Sequence, residues 1–253
     1  MKYEDRIVSF IDILAFKEMI KVTDSKDPEK ETEATSMLNK LQDVISTLQT
    51  EITDAISHRN LPQGTKASMF SDSVVVSIPK AESRGVLTLF KLLKKLQIRL
   101  LTQDILLRGS IVHGKLIHRD QLIIGPALID AYEVESKSAL YPRIVIDPNV
   151  LRLYVRKQGI PKRKLRLSDK AEGITIKQDF DGTSYIDYFN SIEEYCNEPV
   201  TQYFQKLEEM IKKYLGRKYD TGIRMKYMWM NEKVKCSDYP DEIKFSSNPI
   251  PSN

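Results

Sequence analysis

Ser9-Phe10-Ile11-Asp12-Ile13-Leu14-Ala15-Phe16 and, further on, Phe70-Ser71-Asp72-Ser73-Val74 are the stretches whose reading decides the fold. In each, one aspartate interrupts an apolar run. Arg6 to Ile13 (RIVSFIDI) has the length and composition of a buried strand. Lys66 to Ile78 (KASMFSDSVVVSI) reads as two strands joined by a tight turn at Ser71-Asp72-Ser73, closing before Pro79. A lone buried carboxylate costs several kcal/mol, so a fold keeps one only beside a cation, an arginine or backbone donors. If the two strands are neighbours, Asp12 and Asp72 converge on one site suited to Mg²⁺ or Mn²⁺, hard cations that take oxygen ligands and substrate phosphates. Read as residues alone, the pair also admits a plainer account, with Asp72 a turn residue and Asp12 the cap of the helix that follows.

Working outward, Ala15 to Ile20 turns into a helix directly after the first strand, and the polar stretch Thr23 to Glu33 is a loop by composition. Met37 to Ile56 carries a helical stripe at Leu38, Leu41, Val44, Ile45, Leu48, Ile52 and Ile56. Val86 to Leu101 is a second apolar helix, with Lys91, Lys94, Lys95 and Arg99 placed on its wet side. Ile105 to Ile117 reads as a long strand and Leu122 to Ile124 as a short one returning from a turn at Arg119-Asp120. Pro126 to Leu140 is helical and Tyr141 to Asp147 a further strand. The order β-α-α-β-β-α-β-β-α-β predicts an α+β fold, a ferredoxin-like βαββαβ core with a mainly antiparallel sheet and helices on one face. Two strands, Gly173 to Gln178 and Thr183 to Tyr188, and two helices, Pro199 to Leu215 and Thr221 to Val234, follow. The expected organisation is a core over residues 1–155 and a C-terminal extension over 156–253, ending in a loose Pro- and Ser-rich tail.

The composition is that of a soluble domain, with 41% apolar and 29% charged residues. No apolar run is long enough for a membrane span, and MKYEDRIVSF lacks the apolar segment of a secretory signal. Cys196 and Cys236 make neither a disulfide framework nor a metal-ligand pattern, so a reducing cytoplasm is expected. Lys+Arg 39 against Asp+Glu 35 is a mild excess, compatible with a phosphate-bearing ligand and proof of none.

The two aspartate stretches resemble the class III nucleotide cyclases. Ser9 to Phe16 is similar to their F-x-D-I-x-x-F strand and turn, and Phe70 to Val74 to their G-D-x hairpin. Leu107-Arg108-Gly109-Ser110-Ile111-Val112-His113-Gly114 is similar to their R-x-G-I-x-x-G strand. The likeness runs over about residues 6–147 in the family's order. It implies a homodimer with sites at the interface and two divalent metal ions, Mn²⁺ or Mg²⁺, held by Asp12, the Ile13 backbone and Asp72. It also implies formation of a 3′,5′-cyclic nucleotide with release of diphosphate. The N–H groups of Ile13, Leu14, Ala15 and Phe16, at a helix start, would then receive the β- and γ-phosphates.

The departures bear on the substrate. Ser68 stands where adenylate and guanylate cyclases carry Lys or Glu, and Leu122 stands at their second purine-contacting position. Ile129 and Glu133 replace their Asn and transition-state Arg. A closer resemblance is to the pyrimidine cyclases of bacterial anti-phage (Pycsar) systems. It rests on the compact chain, expected to carry no sensor domain, and on the Tyr132-Glu133 helix, the Tyr141-Pro142-Arg143-Ile144 strand and the Lys226-Tyr227-Met228-Trp229 helix. That resemblance implies UTP as substrate and cUMP as product, with CTP and cCMP the alternative, and action through a cyclic-nucleotide-activated effector protein. No nucleic-acid partner is expected.

Arg108 and Arg143 lie on apolar strands, where a guanidinium must meet an anion, either a triphosphate or Glu133 or Glu135. Tyr132 either stacks on a base or covers the dimer interface. His113 and His118 fall on alternate faces of one strand, which is no metal-ligand spacing. The Lys162–Arg166 cluster reads as a solvated loop or as a basic loop steering nucleotide. Two further function classes compete with the enzyme: a nucleotide-binding module of the same fold without turnover, and a polymerase-like palm. The palm is disfavoured because Ser71-Asp72-Ser73 offers one carboxylate where a palm hairpin carries two.

Overall fold

The strand that carries Asp12, β1 (Glu4–Ile13), is paired on both sides along nearly its whole length. Its neighbours are β3 (Ser73–Pro79) and β4 (Leu107–Arg119), both antiparallel to it. The computed structural model describes residues 2–24, 27–58, 60–80, 83–120, 122–157, 174–216 and 218–244. Among these, the remaining strands are β2 (Lys66–Phe70), β5 (Leu122–Ile124), β6 (Ile144–Ile146), β7 (Ile176–Gln178) and β8 (Ser184–Ile186). The sheet order is β2-β3-β1-β4-β6-β8-β7, with β5 paired to β4. Every pairing is antiparallel except β4 with β6. The α+β expectation therefore holds.

Alternation along β1 sorts its side chains between two cores. Ile7, Ile11 and Ile13, with Val74, Val76 and Ile78 of β3, pack against α2 (Glu31–Ser57) and α3 (Ser83–Leu101). Val8 and Phe10, with Val75 and Val112, pack instead against Ala127 and Ala131 of α4 (Pro126–Ser138). The expectation of helices on one face needs correcting, since α4 crosses the opposite face. Only small residues let it come so close. A Cβ on Gly114 would sit 3.1 Å from that of Ala127, and Ser110 Oγ donates to the Ala131 carbonyl at 2.6 Å. Gly125, just before α4, has φ +150°, and a Cβ there would press on the Lys115 carbonyl at 2.5 Å.

Other elements differ from expectation in length. α1 (Phe16–Thr23) follows β1 at once, and α2 begins six residues before the expected Met37. β6 is confined to Ile144–Ile146 because Pro142 has no N–H and that of Arg143 folds back to the Tyr141 carbonyl at 2.7 Å. α5 (Pro148–Lys157) was not expected from the sequence.

Beyond it, β8 extends the sheet from β6, and α6 (Val200–Leu215) and α7 (Thr221–Lys235) build a third, aromatic core. Tyr185, Tyr188, Phe189, Tyr203, Phe204 and Trp229 meet Ile98 and Leu101 of α3 there. A short α8 (Asp241–Lys244) stands inside the expected tail, and the Lys162–Arg166 cluster lies outside the described residues.

Candidate active site

Register sets the first contact of the site. Asp12 lies opposite Ser73 on one side and Arg108 on the other. Phe70 pairs with Ser73, which leaves Ser71 and Asp72 as a two-residue loop with Ser71 in the left-handed region at φ 55°. The N–H of Ile13 donates to the Asp72 carbonyl at 3.1 Å and ties that loop to the end of β1. The two aspartates expected to converge therefore do so. Burial pushes the Asp12 carboxyl above the ordinary carboxylate range; Arg108 draws it back, and the neighbouring Asp72 carboxyl pushes it up again.

Arg108 is the cation at this point. Its Nε donates to Asp12 Oδ2 at 3.1 Å and lies 2.6 Å from Oε1 of Glu135, a carboxylate on α4 that is almost fully buried. The stripe Ala127, Ala131, Glu135 runs over Gly114, Ser110 and Arg108, so the contacts that seat α4 also aim Glu135. Burial pushes Glu135 upward in pKa, against the pull of Arg108, with Asp12 and Asp72 adding to the rise. Of the side-chain anions weighed for Arg108, the structure supplies Glu135 and not Glu133, and adds Asp12. Sequence reasoning named Glu135 only as a pairing option. The signal that marks it is a glutamate on the small-residue stripe of α4.

The donor set suits a divalent cation in part. Two carboxylates that repel each other on a partly open face form an oxygen site of the kind that holds Mg²⁺ or Mn²⁺ with water and phosphate completing the shell. Among the described residues no group of three or more His, Cys, Asp and Glu side chains is arranged to hold a metal alone.

The helix start beyond β1 is built from Ala15, a non-glycine residue in the left-handed region at φ 63° and ψ 18°. That conformation costs about 1 kcal/mol or more, and it swings the chain from β1 into α1. The expectation for the backbone amides is corrected in part. The N–H of Ile13 is spent on Asp72, and that of Leu14 on the Leu106 carbonyl at 2.9 Å. Ala15 and Phe16 have amides with no such recorded bond at the first turn of α1.

Ser68 sits on the edge strand β2, opposite Val75 and on the same face as Phe10 and Asp12. Its hydroxyl is 3.0 Å from Nε2 of His118 and donates to the Asp120 carbonyl at 3.3 Å. Nδ1 of His118 is 2.8 Å from Ser77 Oγ, which receives Nε of Arg6 at 2.9 Å. Tyr132 projects from α4, 58% exposed, and meets Phe10 edge-on at 5.8 Å between ring centroids. Phe70, Leu122, Ile124 and Ile129 are exposed as well.

Arg143 is corrected outright. It is completely buried and engages Asp179 and Asp181 together with the Ser138 carbonyl. Trp229 Nε1 and Lys233 Nζ each reach Asp179 at 2.6 Å, and Tyr141 stacks on Trp229. A guanidinium so enclosed is not open to a phosphate; it joins the strand region before β6 to the β7–β8 hairpin and α7.

No family model matches the sequence, and no curated protein matches it. Solved structures to which the fold is similar include the adenylyl cyclase CyaB of Pseudomonas aeruginosa, with 13% identity, a TM-score of 0.46, and cover of 73% of this chain and 93% of that one. The monomeric guanylyl cyclase domain of the RhoGC fusion protein from Blastocladiella emersonii has 17% identity and a TM-score of 0.45 over 74% and 95% of the two chains. A bacterial light-regulated adenylyl cyclase has 15% identity and a TM-score of 0.42 over 83% and 100%. Likeness at this level assigns no substrate, so function rests on the residues of the site.

Proposed function

We propose that this chain is a metal-dependent nucleotide cyclase acting on a pyrimidine nucleoside triphosphate. UTP and cUMP are the first expectation, CTP and cCMP the second. The observation that supports it best is the convergence of Asp12 and Asp72 on one partly open face, where the Asp72 carboxyl adds to the burial that disfavours the charge of Asp12. In the reaction the ribose 3′-oxygen attacks the α-phosphorus, the bond from that phosphorus to the bridging oxygen breaks, diphosphate leaves, and the hydroxyl proton passes to solvent. Two divalent ions, held by Asp12, Asp72 and the Ile13 carbonyl, would supply charge neutralisation at the leaving diphosphate and acidity at the hydroxyl.

The protein's own part is placement. Asp12 is oriented by Arg108, and Arg108 by Glu135. The amides of Ala15 and Phe16, at the start of α1, would receive anionic oxygens of the triphosphate. Ser68 and Tyr132 line the base side of a site shared across a homodimer, with Asp12 and Asp72 of one protomer against α4 of its partner. The exposed apolar residues Phe70, Leu122, Ile124 and Ile129 suit such an interface. The cyclic product would act on an effector protein in anti-phage defence.

A second reading is a nucleotide-binding module without turnover. It is favoured by Ile129, 62% exposed, and by Glu133, paired to Lys137 at 2.7 Å, which stand where a transition-state arginine would be needed. Incubation of the purified protein with each nucleoside triphosphate and Mn²⁺, with chromatography of the products beside a binding measurement, separates the two. Product supports the enzyme; binding without product supports the module.

A further inference from the structure

The hydrogen-bond chain behind Ser68 has a direction. Arg6 is always a donor, so its Nε–H points into Ser77 Oγ, while Nη1 donates to Glu4 and Nη2 to the carbonyls of Gly64 and Ser77. The Ser77 proton is then free for Nδ1 of His118 at 2.8 Å, which makes Nδ1 the acceptor and places the ring proton on Nε2. Nε2–H points at Ser68 Oγ at 3.0 Å, and the Ser68 proton goes to the Asp120 carbonyl at 3.3 Å. With the opposite tautomer Ser77 Oγ would accept from both Arg6 and His118, and the Ser77 proton would have no acceptor in a fully buried position. His118 is itself almost wholly buried, and the charged groups facing it are Arg6 and Lys66. Burial, with these two cations, holds its pKa down to about 4, so the ring is neutral and carries one donor and one acceptor.

We propose that His118 is a specificity-determining positioning residue, which fixes the Ser68 hydroxyl as an acceptor so that this position takes an N–H of the base and not a carbonyl. With its proton engaged and one lone pair filled, Ser68 offers one remaining lone pair. The matching group is the N3–H imide of uracil or the N4 amine of cytosine; the O4 carbonyl of uracil would face an oxygen lone pair. The inference rests on the cyclase reading and on Ser68 meeting the base. His118 touches no substrate and acts through Ser68.

The test uses the full chain with UTP and CTP, in the wild type and in Ser68→Ala, His118→Ala and His118→Gln. Glutamine can accept from Ser77 and donate to Ser68, so it keeps the direction of the chain. The wild type is expected to prefer one pyrimidine by about tenfold or more, since a mismatch leaves a buried group unpaired. That ratio should shrink toward unity in Ser68→Ala and His118→Ala through a rise in KM with kcat nearly kept, and should recover in His118→Gln. Which triphosphate wins distinguishes the imide from the amine. Nitrogen NMR of wild-type His118 gives a second readout that needs no turnover, and the neutral Nε2–H form is expected at pH 7. A folded His118→Ala that keeps the wild-type ratio, or a charged or Nδ1–H ring, overturns the proposal while leaving the cyclase reading standing. No product from any triphosphate fells both.

Discussion

Glu135 of α4 lies 2.6 Å from Nε of Arg108, and the same nitrogen donates to Asp12 at 3.1 Å. One guanidinium is thus shared between a carboxylate that faces the site and a carboxylate that does not. The buried glutamate keeps Arg108 from belonging wholly to Asp12, and so leaves Asp12 able to share its charge with a cation. Replacing Glu135 by Gln should raise the Mn²⁺ concentration needed for half-maximal turnover several-fold and cost about 1–3 kcal/mol of stability. Metal titrations of activity beside denaturant melts check both; an unchanged or lower Mn²⁺ requirement would show that Glu135 serves the fold alone.

Asp12→Asn and Asp72→Asn should each remove cyclisation while leaving a folded protein. In the absence of metal the repulsion between the two carboxylates is relieved, so the melting temperature should hold or rise. Thermal melts with and without Mn²⁺ read this directly, the variants losing the metal-induced gain. Retained activity in either variant would break the metal assignment.

Arg143 should matter to the fold and not to nucleotide binding. Truncating Asp179 to Ala leaves a buried guanidinium short of a partner and removes the acceptor for Trp229 and Lys233, a loss of about 3–5 kcal/mol. Denaturant unfolding of Asp179→Ala checks the magnitude. Nucleotide affinity of the molecules that remain folded should match the wild type, and a selective loss of affinity would reinstate Arg143 at the site.

The histidine behind Ser68 gives stability a pH dependence of definite sign. A His118 pKa lowered to about 4 in the folded chain lies below its unfolded value near 6.5. Between those two values the unfolded chain binds the extra proton, so stability is present above about pH 6.5 and falls as the pH drops toward 4. His118→Gln should flatten that slope in melts taken across the window. A slope that survives the substitution would place its origin elsewhere.

How much of this could be read from sequence depends on the range of each contact. β1 and the β2–β3 hairpin follow from local signals, namely an apolar run broken by one acid and a turn closing before Pro79, whereas the meeting of Asp12 with Asp72 depends on the pairing of β1 with β3, which those signals leave as a condition. The partners of Arg143 could not be read, because Asp179 and Asp181 lie 36 and 38 residues away in a segment with only turn chemistry to mark it. The same holds for Ser68 and His118, 50 residues apart and on strands that are not neighbours in the sheet. The place of α4 on the second face was written in its Ala127–Ala131–Glu135 stripe, which is too short and too small to register as an apolar face. The amides of Ile13 and Leu14 lie where strand pairing ends, and the carbonyls of Asp72 and Leu106 in the neighbouring loops claim them, which no local signal marks.

The dimer is testable on its own surface. Ile129 and Tyr132 are exposed in the single chain, so Ile129→Asp should not harm folding but should shift the protein toward monomer and lower turnover. Sedimentation across concentration, with activity on the same samples, checks it; a fully active monomer would contradict a shared site.

The central claim is tested most directly by incubating the wild-type protein with equal amounts of UTP, CTP, ATP and GTP in Mn²⁺ and resolving the products by chromatography and mass. The account predicts a 3′,5′-cyclic pyrimidine nucleotide with diphosphate released in equal amount, ATP and GTP far behind, and no product from Asp72→Asn. A purine nucleotide as best substrate, or no cyclic product from a folded, nucleotide-binding protein, would contradict it.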